Sequence, residues 1–155
     1  MSYLRAGDTI SGQEGRAFAT INGKVEDMFY IKKLEAKVEK KKAEVKTLGH
    51  RGTQHKAAGW SGTGSMSIYY VTSLFRQMML KYIEEGKDTY FDVFIVNEDP
   101  QSTVGRQTVV IGGVNLNSII MSTLDSESDT LAEDIEFTFE SVRILESFKS
   151  PSLAE

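Results

Sequence analysis

The chain has 155 residues, no cysteine, two prolines, thirteen glycines and a formal net charge of −4. That length fits one domain, residues 1–155, able to bury roughly two-thirds of its unfolded surface without a disulfide or metal staple. The absence of cysteine excludes thiol catalysis, iron–sulfur clusters and cysteine-based zinc sites, and a composition of 40% hydrophobic and 26% charged residues excludes wholesale disorder.

Residues 1–14 combine Gly7, Gly12, serine and aspartate with little apolar content and read as a loosely held N-terminal arm. Met1–Ala17 has no basic start followed by an apolar core, and no apolar run approaches the ~20 residues of a membrane span, so the expectation is a soluble protein made inside the cell with no stable membrane association. Arg16–Asn22 is β-like, and Asn22-Gly23 is a strong hairpin signal because both residue types tolerate positive φ. Val25–Ile31 supplies the return strand. Leu34–Leu48 is ambiguous. Leu34, Ala36 and Val38 alternate with Glu35, Lys37 and Glu39 as in a half-buried strand, yet the Ala, Glu and Lys content favours helix.

Gly49–Gly64 holds five glycines and reads as a loop leading into an open strand, in which Trp60, Gly62, Gly64, Met66, Ile68 and Tyr70 occupy alternate positions. Thr72 or Ser73 can cap one helix, Ser73–Glu85, closed by Gly86. Its stripe of Leu74, Phe75, Met78, Met79, Tyr82 and Ile83 is expected to plug a sheet, a burial worth on the order of 10 kcal/mol before entropy. Thr89–Val96 is apolar on both faces, the pattern of a covered central strand. Gln107–Ile111 and Val114–Ser122 form one strand broken at Gly112-Gly113, where a sheet-changing bend is expected. After an acidic loop at Asp125–Thr130, Ile135, Phe137 and Phe139 alternate with Glu136, Thr138 and Glu140. Residues 150–155 read as a loose C-terminus. These elements predict a mainly β fold of about seven strands with a single packed helix.

Charge is segregated. Lys32–Lys56 carries nine Lys/Arg against Glu35, Glu39 and Glu44, and Asp125–Glu155 carries nine Asp/Glu against Arg143 and Lys149. Two such poles can meet between identical copies, or the basic one can bind phosphates. No pattern points to catalysis, a metal or a cofactor. Gly59-x4-Gly64 is followed by Ser65-Met66, so the lysine of a phosphate loop is missing. His50 and His55 have no carboxylate between them, and the pairs Glu84-Glu85, Glu98-Asp99 and Glu133-Asp134 read as solvated element ends.

Ordered blocks along the chain carry a resemblance. Ala43–Gly49, Arg51–Lys56, Gly59–Ser65 and Ile68–Thr72, followed by Tyr90–Asp92, Val96–Pro100, Gly105–Val110 and Glu133–Phe139, resemble the tail tube proteins of PBSX-like prophages and related contractile-tail phages. The resemblance runs from Asn22 to Phe148 and implies a two-sheet β-barrel or sandwich domain with one flanking α-helix. It also implies six-membered rings of identical copies, stacked into an inner tube through which DNA or other cargo passes. Sheath, tape-measure, baseplate and terminator proteins are the implied partners, with assembly in a bacterial host cytoplasm followed by residence in a virion or phage-like particle. It turns the ambiguous segment into strand, so residues 32–59 become an extended basic hairpin and loop. Lys40, Lys41, Lys42, Lys46, Arg51, Lys56 and Trp60 are then candidate subunit or ring contacts. Glu136 and Glu140, on the wet side of their strand, are candidates for the tube wall, where carboxylates would repel passing phosphates. The alternative is a small β-barrel module binding a ligand or nucleic acid through residues 32–56.

Overall fold

The computed structural model describes residues 3–151. A 3₁₀ turn at Ala6–Asp8 precedes β1 (Gly15–Ile21), β2 (Lys24–Asp27), β3 (Ile31–Val45), β4 (Gln54–Tyr69), α1 (Leu74–Glu85), β5 (Phe91–Glu98), β6 (Arg106–Leu116), β7 (Ala132–Phe139) and β8 (Ser141–Glu146). The strands form an antiparallel sheet in the order β2-β1-β5-β6-β7-β4-β3, with β8 pairing β6. The fold is mainly β with one flanking helix. The sheet does not close into a barrel: β2 and β3 are its free ends.

The sheet bends over itself at two neighbouring corners. In β6 the corner is Gly112-Gly113, the second of which has φ +66°, a backbone that favours glycine. Before it, β6 pairs β5 and β8; after it, Val114 still pairs Phe91 of β5, and Asn115 and Leu116 pair β7. Glu140 lies at the matching bend between β7 and β8, its N–H donating to the Gly112 carbonyl at 3.0 Å. The strand expected to reach Ser122 ends at Leu116. β8, which the sequence reading missed, continues β7 into the other layer.

Between the layers lies one core. Ala17, Ala19, Phe91, Val93 and Ile111 face Met66, Ile68, Ile135, Phe137 and Phe139. Alternation dictates this: in β7 Ile135, Phe137 and Phe139 are buried while Asp134, Glu136 and Thr138 are exposed. Gly62 and Gly64 of β4 lie opposite Phe139 and Phe137. The rings cover the bare backbone so closely that a Cβ on either glycine would meet ring carbons at 2.4 Å. Small residues are therefore needed because of aromatic cross-strand partners.

Asn22 (φ 52°) and Gly23 (φ 80°) make the expected tight turn between β1 and β2. The return strand stops at Asp27, and Met28 and Tyr30 dip into the core before β3 begins. The buried Tyr30 hydroxyl has no hydrogen-bond partner among the described residues. Burial, then the charges of Glu26 and Asp27, push its pKa up from 10 to about 12. The folded chain therefore holds this proton more tightly than the unfolded one. Its contribution to stability is complete below pH 10 and is lost as pH rises toward 12. Urea titrations at pH 9 and pH 11.5 are expected to show a larger loss for the native chain than for Tyr30→Phe; equal losses would remove Tyr30 as the cause.

Of the segment read as a loose arm, residues 1–2 lie outside the described residues, and Arg5, Asp8 and Ser11 are held by hydrogen bonds. Thr103 Oγ1 donates to Asp8 Oδ1 at 2.5 Å, the Arg5 N–H to Asp8 Oδ2 at 3.0 Å, and the Ser11 N–H to Asp99 Oδ2 at 3.0 Å. The Thr103 and Arg5 hydrogen bonds hold the Asp8 carboxyl below its usual range. Of the loose C-terminus, residues 152–155 lie outside the described residues.

Candidate assembly surfaces

The β3–β4 hairpin outruns the sheet that supports it. Its rungs continue from Ile31↔Ile68 to Val45↔Gln54, whereas β4 leaves β7 at Gly62↔Phe139. Beyond that point each strand of the hairpin pairs only the other, and every residue from Ala36 to Trp60 is exposed. β3 is the last strand of the sheet, and among the described strands none pairs its other edge. Such an edge is a row of free N–H and C=O groups able to pair another strand. β4 already begins at Gln54, so the expected loop over Gly49–Gly64 is confined to residues 46–53. A register shift opposite Lys41, where Gly59 has φ +123°, twists the hairpin midway.

The candidate contact residues all lie on this projection. Lys40 is opposite Trp60, Lys42 opposite Ala57 and Lys56 opposite Ala43; Lys41 sits at the register shift, and Lys46 and Arg51 flank the tip. None of these six cations has a carboxylate partner among the described residues. Trp60 packs against Phe139 with ring centroids 6.3 Å apart and stays 45% exposed. Across the mouth of the sandwich stands Val142 of β8, and the cleft between them measures about 400 Å³.

On the outward face of β3, β4 and β7, Ser61, Thr63, Ser65 and Ser67 run down the middle strand. Their cross-strand neighbours Glu35, Glu39, Asp134 and Glu136 outnumber Lys33 and Lys37. Glu136 is exposed opposite Ser65, and Glu140 is exposed at the corner. Two rows of a candidate wall thus carry hydroxyls and carboxylates.

The far end of β4 is acidic. The Tyr70 N–H donates to the Leu131 carbonyl at 2.9 Å, which closes the loop 117–131 beside the helix. Asp125, Glu127 and Asp129 are exposed there, next to Leu124 at 95% exposure. Basic tip and acidic loop therefore occupy opposite ends of one strand, an arrangement that charge counts along the sequence cannot reveal.

Glu133 corrects the reading of Glu133-Asp134 as solvated. Its side chain is 1% exposed and accepts from Arg76 Nη1 at 2.8 and 3.0 Å. Arg76 also donates to the Thr72 carbonyl and, at 3.2 Å, to the Ile120 carbonyl, and it lies over the Tyr70 ring at 4.3 Å. One guanidinium thereby joins α1, β7 and the acidic loop. The helix stripe is only partly covered: Phe75 is buried and Leu74, Met78 and Met79 are half-buried, whereas Tyr82 and Ile83 are exposed. Among the described residues no three His, Asp or Glu side chains gather as a metal site, and no helix is long and apolar enough to cross a membrane.

Comparison with known proteins adds the family. A family described as phage tail tube protein matches residues 2–146. The Bacillus subtilis (strain 168) phage-like element PBSX protein XkdM is 44% identical over 137 residues, 88% of this chain and 90% of that protein. In the solved baseplate of the anti-feeding prophage, 6-fold symmetrised, one chain superposes with a TM-score of 0.65 at 15% identity, covering 94% of this chain and 97% of that one. A chain of the sheath–tube complex of an extracellular contractile injection system, in its extended state, gives 0.64 at 13% identity over 92% and 94%. Those two likenesses are of fold.

Proposed function

This chain belongs to the phage tail tube family and is a structural subunit of such a tube, and we propose that six copies close into a ring and that the rings stack into the inner tube of a contractile tail. The observation that carries this reading is the free-edged hairpin with its basic tip at one end of β4 and the acidic loop at the other. A contact between unlike surfaces closes a ring where rotation closes it and gives a tube where it repeats along an axis. The free edge of β3 takes a strand of the neighbouring copy, which satisfies its backbone groups and removes an aggregation hazard.

In this reading Lys40, Lys41, Lys42, Lys46, Arg51, Lys56 and Trp60 are ring or subunit contacts. Glu136 and Glu140 face the lumen, where carboxylates let DNA or other cargo pass without adhering. Sheath, tape-measure, baseplate and terminator proteins complete the particle, assembled in the bacterial cytoplasm, and the chain performs no reaction of its own.

Negative-stain electron microscopy of concentrated protein is expected to show rings or tubes. Changing Lys40, Lys41 and Lys42 together to Glu is expected to abolish stacking; intact tubes from that variant would refute the role of the basic pole. The unpaired cations favour one rival reading, a nucleic-acid-binding module. That reading requires a monomer whose affinity for DNA falls steeply with salt.

A further inference from the structure

We infer that the cleft between the hairpin and β8 receives the 117–131 loop of a second copy, with Leu124 as the inserted side chain; this rests on the stacked-ring reading above. The cleft, about 400 Å³, is lined by Val38, Lys40, Ala57, Gly59, Trp60 and Val142. Its apolar walls are open in the single copy: Val38 is 51% exposed, Trp60 45% and Val142 39%. They continue the core, since Trp60 rests on Phe139, itself 5% exposed. Apolar surface at the mouth of a sandwich, with a tryptophan as floor, has the composition of an anchor pocket.

The occupant follows from chemistry. Leu124, at 95% exposure, is the most exposed large aliphatic side chain of the described residues outside the hairpin, and Asp125, Glu127 and Asp129 follow it. The cleft has the reciprocal pattern, an apolar floor with Lys40 on its wall and Lys42 opposite the lining residue Ala57. Seating Leu124 removes apolar area on both sides from water, and the carboxylates meet cations that lack carboxylate partners among the described residues.

The chain's own loop does not fill its own cleft: Leu124 is 95% exposed, and no residue of the loop lines the cleft. The loop adjoins Tyr69–Tyr70, and the cleft lies at Trp60, nine residues away along β4, which is about 30 Å of extended strand. A second copy is therefore required, and because the two surfaces differ, every occupied cleft leaves a free one on the newcomer. Head-to-head docking would oppose cation to cation and is disfavoured.

Because the chain has no cysteine, introduced thiols can report only one another. Trp60→Cys and Leu124→Cys, each purified, mixed, allowed to assemble and mildly oxidised, are expected to yield a disulfide-linked heterodimer several-fold above the homodimers of either variant alone. Such a bond needs Cα atoms about 4.4–6.8 Å apart. The same result is expected with Val38→Cys, which keeps the tryptophan floor. Rings or tubes in micrographs with no heterodimer from either cleft cysteine would overturn the contact and leave the tube reading standing. Wild-type protein that forms neither at any concentration would overturn the tube reading and this contact together.

Discussion

Arg76→Met is expected to cost about 3–5 kcal/mol of folding stability, because it strands the buried Glu133 carboxylate without its cation. For a chain of this length that is a fall in Tm of roughly 6–20 °C. Removing charge from the other side is milder: in Glu133→Gln, Arg76 keeps the Thr72 and Ile120 carbonyls and the Tyr70 ring. Replacing both partners, Arg76→Met with Glu133→Leu, is expected to recover most of the loss, since a buried ion pair often does little better than a well-packed apolar pair. Urea unfolding of the four proteins tests this. A cost below about 1 kcal/mol for the first variant would mean that Glu133 reaches water when Arg76 is gone.

Gly64→Ala is expected to lie at or above the top of the roughly 1–3 kcal/mol typical of overpacking. Its Cβ would stand 2.4 Å from the Phe137 ring and 2.7 Å from the Glu35 carbonyl oxygen, so either a core side chain or strand β3 must move. Gly7→Ala, with open space around the position, is the matched control and is expected to change stability by less than about 0.5 kcal/mol. Pairing Gly64→Ala with Phe137→Leu separates the two contacts. A cost that shrinks on the leucine background assigns the clash to the ring; an unchanged cost assigns it to the Glu35 backbone.

What could be read from the sequence was mostly local. Alternation over Ile135–Phe139, the Asn22-Gly23 turn, the Gly86 helix stop and the bend at Gly112-Gly113 each depend on neighbours within a few residues. The β3 segment needed more, because its Ala, Glu and Lys content favours helix and cross-strand pairing overrides that preference. Three features depend on partners far apart in the chain. Glu133 looks like a loop acid until Arg76, 57 positions away, is seen beside it. β8 exposes all six of its residues, so burial leaves no alternating signature. The candidate site was legible as charge, with all six cations and Trp60 on one projection, but its opposition to the acidic loop depends on the pairing of β4 with β7.

The corner at Glu140 also has a mechanical meaning. Tension applied to the hairpin tip along β4 reaches β7 through eight rungs, Gly62↔Phe139 to Tyr69↔Ala132, which share the load in shear. From β7 it passes around the bend through covalent bonds into β8, and from there into β6 of the other layer. The two layers cannot slip past one another without breaking that strand pair. A pull along β4 is therefore resisted by the whole domain, whereas a pull across β4 peels the same rungs one at a time.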